Sequence, residues 1–145
     1  MSMTRVVPLL VMLVLPRLAS AEELASLAEA RMLADNAVAL FKDEKFAEGY
    51  GLLTPYWPLE PAEINDLVGQ TLGQWPIVQQ RFGTAVGTEF VSEASAGNSF
   101  VRYIYLHKFQ NHAIRWIFTF YSANGTWVVN GVSFDDQIDL LFDSQ

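Results

Sequence analysis

The sequence predicts an α+β domain with the element order α-α-α-β-β-β-β, in which N-terminal helices pack across one face of a four-stranded antiparallel sheet. The strand signal comes from residues 100–134, which are dense in the aromatic and β-branched residues that suit a pleated surface. Within that stretch Asn124-Gly125 predicts a type I′ hairpin turn, which needs positive φ at both central residues. The helical signal comes earlier, because residues 22–44 are rich in Ala and Leu and contain no Gly or Pro.

The first 21 residues have the pattern of a cleaved signal peptide. Arg5 supplies the positive charge, residues 6–15 form an apolar run, and residues 19–21 (Ala-Ser-Ala) form a small-x-small cleavage site. The apolar run is too short to span a bilayer comfortably, so an uncleaved anchor is the less favoured alternative. We therefore expect residues 1–21 to be removed and residues 22–145 to form one periplasmic or secreted domain with no membrane attachment after cleavage.

Charge and cysteine content exclude several classes of protein. Cleavage removes Arg5 and Arg17, two of the 9 basic residues, and leaves 7 against 16 acidic residues, a net charge of −9. Such a surface repels nucleic acid and anionic lipid, so neither is an expected partner. The chain contains no cysteine, so disulfides cannot stabilise it and apolar burial must do so.

Three helices are predicted before the sheet. The first covers residues 22–44, a polar turn lies at residues 42–45, and a shorter second helix ends in a proline-rich link. The third begins at Pro61, is broken or restarted at Pro76, and ends near residues 82–83. The apolar residues that recur at helical spacing are Leu33, Ala37, Leu40, Phe41, Phe46, Tyr50, Leu53, Ile64, Leu67, Val68, Leu72 and Trp75.

The turns between the strands set the expected register, because side chains alternate between the two faces of a strand. A central turn at Gln110-Asn111 places Tyr105 opposite Trp116. A five-residue loop at residues 95–99 places Glu89 opposite Tyr105. This register brings Glu89 to the face that carries both aromatic residues.

The Asn124-Gly125 turn places Phe118 opposite Gly131 and completes two faces. The first face, expected towards the helices, carries Glu89, Val91, Val101, Tyr103, Tyr105, His107, Ile114, Trp116, Phe118, Phe120, Trp127 and Val129. The second face carries Phe90, Phe100, Arg102, Ile104, Leu106, Arg115, Ile117, Thr119, Tyr121, Val128, Asn130, Val132 and Phe134. Both faces are apolar, so the second should be covered by the tail at residues 135–145 or by another subunit. A homodimer through the sheet is the expected assembly.

A polar group is predicted on the first face in an apolar setting. The expected ligand-binding residues are Glu89, Tyr103, Tyr105, His107 and Trp116. A carboxylate beside an imidazole in such a setting could act in general acid–base catalysis, but a solvated histidine at a strand end is the favoured alternative. Neither metal-ligand spacing nor a phosphate-binding glycine loop occurs, so we expect no catalytic residue, no cofactor and no metal.

Three stretches carry a resemblance to a known superfamily: FKDEKFAEGYGLLTPYW at residues 41–57, WPIVQQRFG at residues 75–83, and TWVVNGVSF at residues 126–134. In pattern and element order the chain resembles the nuclear transport factor 2-like (cystatin-like) α+β superfamily, particularly its small exported bacterial members of unknown function. The resemblance implies a curved sheet wrapped against helices, often with an apolar pocket between them and often a sheet-mediated dimer. The superfamily includes isomerase-like and dehydratase enzymes, whose acid–base residues do not map onto positions here.

Two functional hypotheses follow. In the first, the chain is a non-catalytic binding or assembly module that holds a small apolar ligand in an aromatic-lined cavity, or holds a partner on its second face. In the second, it is a small lyase- or isomerase-like enzyme that uses Glu89 or His107 in acid–base chemistry. A solvent-reachable cavity would favour a ligand, whereas a space filled by side chains leaves assembly.

Overall fold

The predicted α+β class and element order are confirmed in a computed structural model, which describes residues 21–142. The helices are α1 (Leu27–Lys42), α2 (Phe46–Leu53) and α3 (Pro61–Phe82), with short 3₁₀ helices at Thr54–Tyr56 and Ile138–Leu141. The strands are β1 (Ala85–Ala96), β2 (Phe100–Phe109), β3 (Ala113–Tyr121) and β4 (Val128–Asp135). They form one antiparallel sheet in the order β1-β2-β3-β4. Residues 1–20, on which the signal-peptide prediction rests, lie outside the described residues.

None of the helices within residues 21–142 has the length and apolar character needed to cross a membrane. Helix α1 begins at Leu27, five residues later than predicted, because Ser26 caps it: the Ser26 hydroxyl accepts a hydrogen bond from the Glu29 N–H at 3.2 Å. The chain before the cap is extended, and Leu24 exchanges two backbone hydrogen bonds of 2.8 Å with Trp127. Both side chains are buried, so this contact fastens the start of the domain to the approach of β4.

The turn predicted after α1 is confirmed, and it ends the helix with a Schellman motif. The Lys45 N–H donates to the Leu40 carbonyl at 2.9 Å, and the Glu44 N–H donates to the Phe41 carbonyl at 3.0 Å. Glu44 has a φ of 60°, a left-handed conformation that usually belongs to glycine. Its side chain must therefore offset the cost of that backbone conformation.

The predicted break at Pro76 is wrong, since α3 runs through it from Pro61 to Phe82. Proline removes one helical hydrogen bond and crowds the preceding turn. Trp75 and Phe82, on either side of the proline, are both buried, and their packing holds the helix against the domain on both sides of Pro76. A capping box formed by Glu60 and Glu63 fixes its start.

The central hairpin has the predicted register, with Tyr105 opposite Trp116, and the Phe109 N–H donates to the His112 carbonyl across the turn. The predicted pairing of Glu89 with Tyr105 is wrong. Phe90 lies opposite Tyr105, because the first hairpin closes at Ala96 and Phe100 and the register shifts between Phe90 and Ser92. Glu89 and Phe90 therefore exchange the faces expected for them.

A similar irregularity changes the last strand. Phe120 lies opposite Val129 as expected, but Phe118 lies opposite Val132 instead of Gly131. Val132 and Phe134 therefore belong to the helix-facing side, where Val132 is buried and Phe134 half-buried. The expected type I′ turn at Asn124-Gly125 is also wrong. Such a turn needs positive φ at both residues, and only Gly125 of the two has it, with a φ of 100°. Within residues 21–142 the non-glycine residue with positive φ is Glu44.

The core lies between the helices and the first face of the sheet. Trp116 and Phe118 are fully buried there, as predicted. The Phe41 ring stacks on Trp116 with a centroid separation of 4.3 Å, and Phe46 meets Trp75 edge to face at 4.6 Å. Aromatic rings thus join all three helices to the sheet.

Candidate functional site

The structure brings four of the five predicted ligand-binding residues together and separates the fifth. Tyr103, Tyr105, His107 and Trp116 lie on the helix-facing side and are all at most 3% exposed. Glu89 is exposed on the opposite side of the sheet, where its carboxylate lies 3.9 Å from the Lys108 ammonium. Glu89 and His107 therefore lie on opposite faces of the sheet and do not form the expected carboxylate–imidazole pair.

Side chains fill the space in which an apolar ligand was expected. Trp116 is stacked on Phe41, and Tyr105 meets Phe118 edge to face with a centroid separation of 5.5 Å. Solvent does not reach the centre of this packing, so an apolar ligand would enter between the sheet and α1 only if the helix moved away. The apolar ligand stays a prediction, and the closed packing favours assembly instead.

His107 was expected to be solvated at its strand end, and that expectation is wrong because the ring is fully buried. Its Nδ1 accepts a hydrogen bond from Trp116 Nε1 at 3.3 Å, and the Phe109 ring stacks on it at 4.7 Å. Within the described part of the chain, Nε2 has no hydrogen-bond partner. Burial, together with the positive charge of Lys42, lowers the pKa of His107 to about 4, so the imidazole is neutral at pH 7.

The two tyrosines attach β2 to α1. The Tyr105 hydroxyl donates to Asp35 Oδ1 at 2.5 Å, and the Tyr103 hydroxyl donates to the Leu27 carbonyl at 3.2 Å. Burial, and then the hydrogen bond to Asp35, raise the pKa of Tyr105 far above its ordinary value. Both phenols therefore stay protonated and act as hydrogen-bond donors.

The second sheet face, called the outer face below, is less apolar than predicted. Val132 and Phe134 lie on the helix-facing side instead, and Ile117 is only 9% exposed to solvent. Arg115 is also satisfied within the chain, because its guanidinium makes a two-point ion pair with Asp135 at 2.8 and 2.7 Å. The centre of the outer face therefore exposes little side-chain surface to solvent, and the two ends are described separately.

The tail covers one end of the outer face. The 3₁₀ helix Ile138–Leu141 lies over β2 and β3, where Ile138 and Leu141 share a shallow depression with Leu106 and Ala113. This covering matches the expectation that the tail shields part of the sheet.

The other end of the outer face is uncovered and is called the open end below. Phe100 and Tyr121 are 38% and 37% exposed, with ring centroids 5.0 Å apart. Beside them Arg102 Nε donates to Thr119 Oγ1 at 3.4 Å. A groove of about 310 Å³ adjoins the pair and is lined by Ala94, Ser95, Ala96, Phe100, Val101, Arg102, Thr119 and Asn130.

Within residues 21–142, no three His, Cys, Asp or Glu side chains are grouped to hold a metal ion. Comparison with protein-family models, curated proteins and solved structures finds no match to this chain. The resemblance to the nuclear transport factor 2-like superfamily accordingly stays a prediction.

Proposed function

We propose that this chain is a non-catalytic assembly module that pairs with a second copy of itself through the open end of its outer sheet face. The observation that carries the proposal is the exposed Phe100–Tyr121 pair. Large aromatic side chains are the residues that most often anchor protein interfaces. The tail lies over the opposite end of the sheet and leaves this pair uncovered.

Charge favours a second copy at this place. The helical part of the chain, residues 22–82, carries ten acidic and four basic residues, so two helical layers would repel each other. The open end carries one charged side chain, Arg102, among apolar and neutral polar neighbours. Two copies of an acidic chain therefore approach each other most easily sheet against sheet, where the hydroxyl of Thr119 and the amide of Asn130 can accept from the partner's guanidinium.

The size of the open end sets the strength of the pairing. Four strands about 4.8 Å apart, with about six residues each at about 3.3 Å per residue, cover roughly 400 Å² in each copy. Two copies would bury roughly 800 Å², below the roughly 1,200 Å² at which stable interfaces begin. We therefore expect a weak dimer, and export of the mature chain would place it in the periplasm or outside the cell.

Sedimentation velocity across the micromolar range tests the proposal. The wild type should shift from monomer to dimer with concentration, and Tyr121→Asp should stay monomeric with an unchanged circular-dichroism spectrum. Leu72→Asp is the matched control, because Leu72 is 53% exposed on α3, away from the sheet's outer face. A wild type that stays monomeric throughout, or a Leu72 variant that alone loses the dimer, would refute pairing through the open end.

A further inference from the structure

Where α1 crosses the edge of the sheet, a guanidinium lies in an aromatic and acidic setting. The Arg31 guanidinium carbon lies 3.3 Å from the centre of the Phe90 ring, and the rings of Tyr103 and Tyr105 follow at 5.9 and 6.0 Å. Arg31 Nε also donates to Asp35 Oδ1 at 2.9 Å. Three aromatic rings and a carboxylate thus surround one cation.

An irregularity in β1 creates this arrangement. The register shift after Phe90 turns its ring to the helix-facing side, opposite Tyr105, whereas a regular strand in the register of Ala96 and Phe100 would place Val91 there. Bulges often redirect a side chain beside a functional site. Phe90 then meets Tyr105 edge to face with a centroid separation of 5.4 Å, which completes a continuous aromatic wall.

A second carboxylate adds negative charge to the same region. Glu93 lies opposite Tyr103 across the β1–β2 pair. Burial, and then the Glu93 carboxylate, raise the pKa of Tyr103 to about 12, so the phenol stays protonated at neutral pH. Asp35 is thus the carboxylate that contacts the cation beside Phe90, and Glu93 adds negative charge near Tyr103.

We propose that Phe90, Tyr103, Tyr105 and Asp35 form a binding site for a guanidinium group, which Arg31 occupies as an internal ligand and which the arginine side chain of a partner protein can take over. Arg31 is suited to leave, because its side chain is 35% exposed and its ion-pair partner Asp35 is 46% exposed. Exposed ion pairs and exposed cation–π contacts are both weak.

The geometry selects a guanidinium and not an ammonium. A planar guanidinium can stack on Phe90 and donate in its own plane to Asp35 at the same time, as Arg31 does. An ammonium is a compact, strongly hydrated charge that cannot stack in this way. This site lies on the opposite side of the sheet from the open end, so it is independent of the proposed dimer.

The test uses Arg31→Met, which removes the guanidinium and leaves an unbranched side chain that suits a helix. Ethylguanidinium chloride is titrated into this variant and into the wild type, and the shifts of the Phe90 and Tyr105 ring signals are followed by nuclear magnetic resonance. The Arg31→Met chain should bind ethylguanidinium at least ten-fold more tightly than the wild type. n-Propylammonium, the matched ammonium, should bind at least ten-fold more weakly than ethylguanidinium.

Two further arms identify the site and the source of the ligand. Adding Phe90→Leu to Arg31→Met should abolish saturable binding. A short arginine-containing peptide should bind Arg31→Met at least as tightly as ethylguanidinium does, whereas preference for the free cation would indicate a small-molecule site and overturn the assignment to a protein partner. Failure of Arg31→Met to fold would show that Arg31 is a structural crosslink. A folded variant without saturable binding would show that no external cation enters the site. Either result would overturn the proposed binding site.

Discussion

The Glu44 carboxylate accepts a hydrogen bond from Trp75 Nε1 at 2.6 Å, although Glu44 must hold a left-handed φ of 60°. The side-chain amide of Gln79 donates to the same carboxylate oxygen. The turn after α1 is thereby attached to the C-terminal half of α3. Because few non-glycine residues tolerate this conformation, the contact with Trp75 accounts for a glutamate at this position.

Two substitutions separate the backbone and side-chain contributions of Glu44. Glu44→Ala keeps the left-handed strain and loses the hydrogen bond, so the free energy of unfolding should fall by about 1.5 kcal/mol, the lower end for bonds to charged groups. Glu44→Gly also relieves the strain, worth about 1 kcal/mol, and should therefore lose only about 0.5 kcal/mol. Urea denaturation measures both differences, and a glycine variant more stable than the wild type would show that the carboxylate contributes less than the backbone strain costs.

The sequence predicts the register of the central hairpin, where the turn alone decides it. Gln110-Asn111 closes a tight turn, and the register of Tyr105 with Trp116 follows from it. The faces of Glu89 and Phe90 do not follow, because a bulge reverses them and its position depends on tertiary packing of the Phe90 ring.

The candidate sites were predictable only in part. Arg31 and Asp35 have the i, i+4 spacing of a helical ion pair, which a sequence shows directly, but their contact with Phe90 depends on the bulge. His107 sits near the end of β2, where solvent is the ordinary expectation. The Trp75 ring on α3 lies 5.2 Å from the imidazole and helps to bury it. The sequence around His107 cannot show this contact, because Trp75 lies on a helix that is distant in the chain.

Phe118→Ala should lower the free energy of unfolding by about 3–5 kcal/mol, because Phe118 is fully buried and the truncation leaves a cavity. Chemical denaturation checks this value. Met32→Ala is the control, since Met32 is 63% exposed and should change stability by less than about 0.5 kcal/mol. A loss under about 1 kcal/mol for Phe118→Ala would place the core on the other face of the sheet.

Acid should destabilise the domain through His107. Above pH 6.5 the imidazole is neutral in both the folded and the unfolded chain. Below that pH the unfolded chain takes up a proton, whereas the folded chain does not until about pH 4, so the free energy of unfolding falls as pH falls. At about 1.4 kcal/mol per unit, the loss from this residue reaches about 3 kcal/mol at pH 4.

His107→Gln isolates that contribution, because the amide cannot titrate and can still accept from Trp116. Its free energy of unfolding should fall less steeply between pH 6.5 and pH 4 than that of the wild type, measured by urea denaturation at matched pH values. Equal slopes for the wild type and His107→Gln would contradict the buried neutral imidazole.

Pairing through the open end is tested most directly by crosslinking, because the chain has no native cysteine. Thr119→Cys places one thiol in the middle of the open end. When two sheets face each other across a two-fold axis, a residue near that axis lies close to the same residue of the partner subunit. A short bifunctional maleimide should convert this variant to a covalent dimer, and Phe100→Asp in the same chain should prevent it. Leu72→Cys, on the exposed side of α3, should remain monomeric. Efficient crosslinking of Thr119→Cys alone is the predicted result, whereas no covalent dimer from Thr119→Cys at concentrations of about 100 μM would contradict the account.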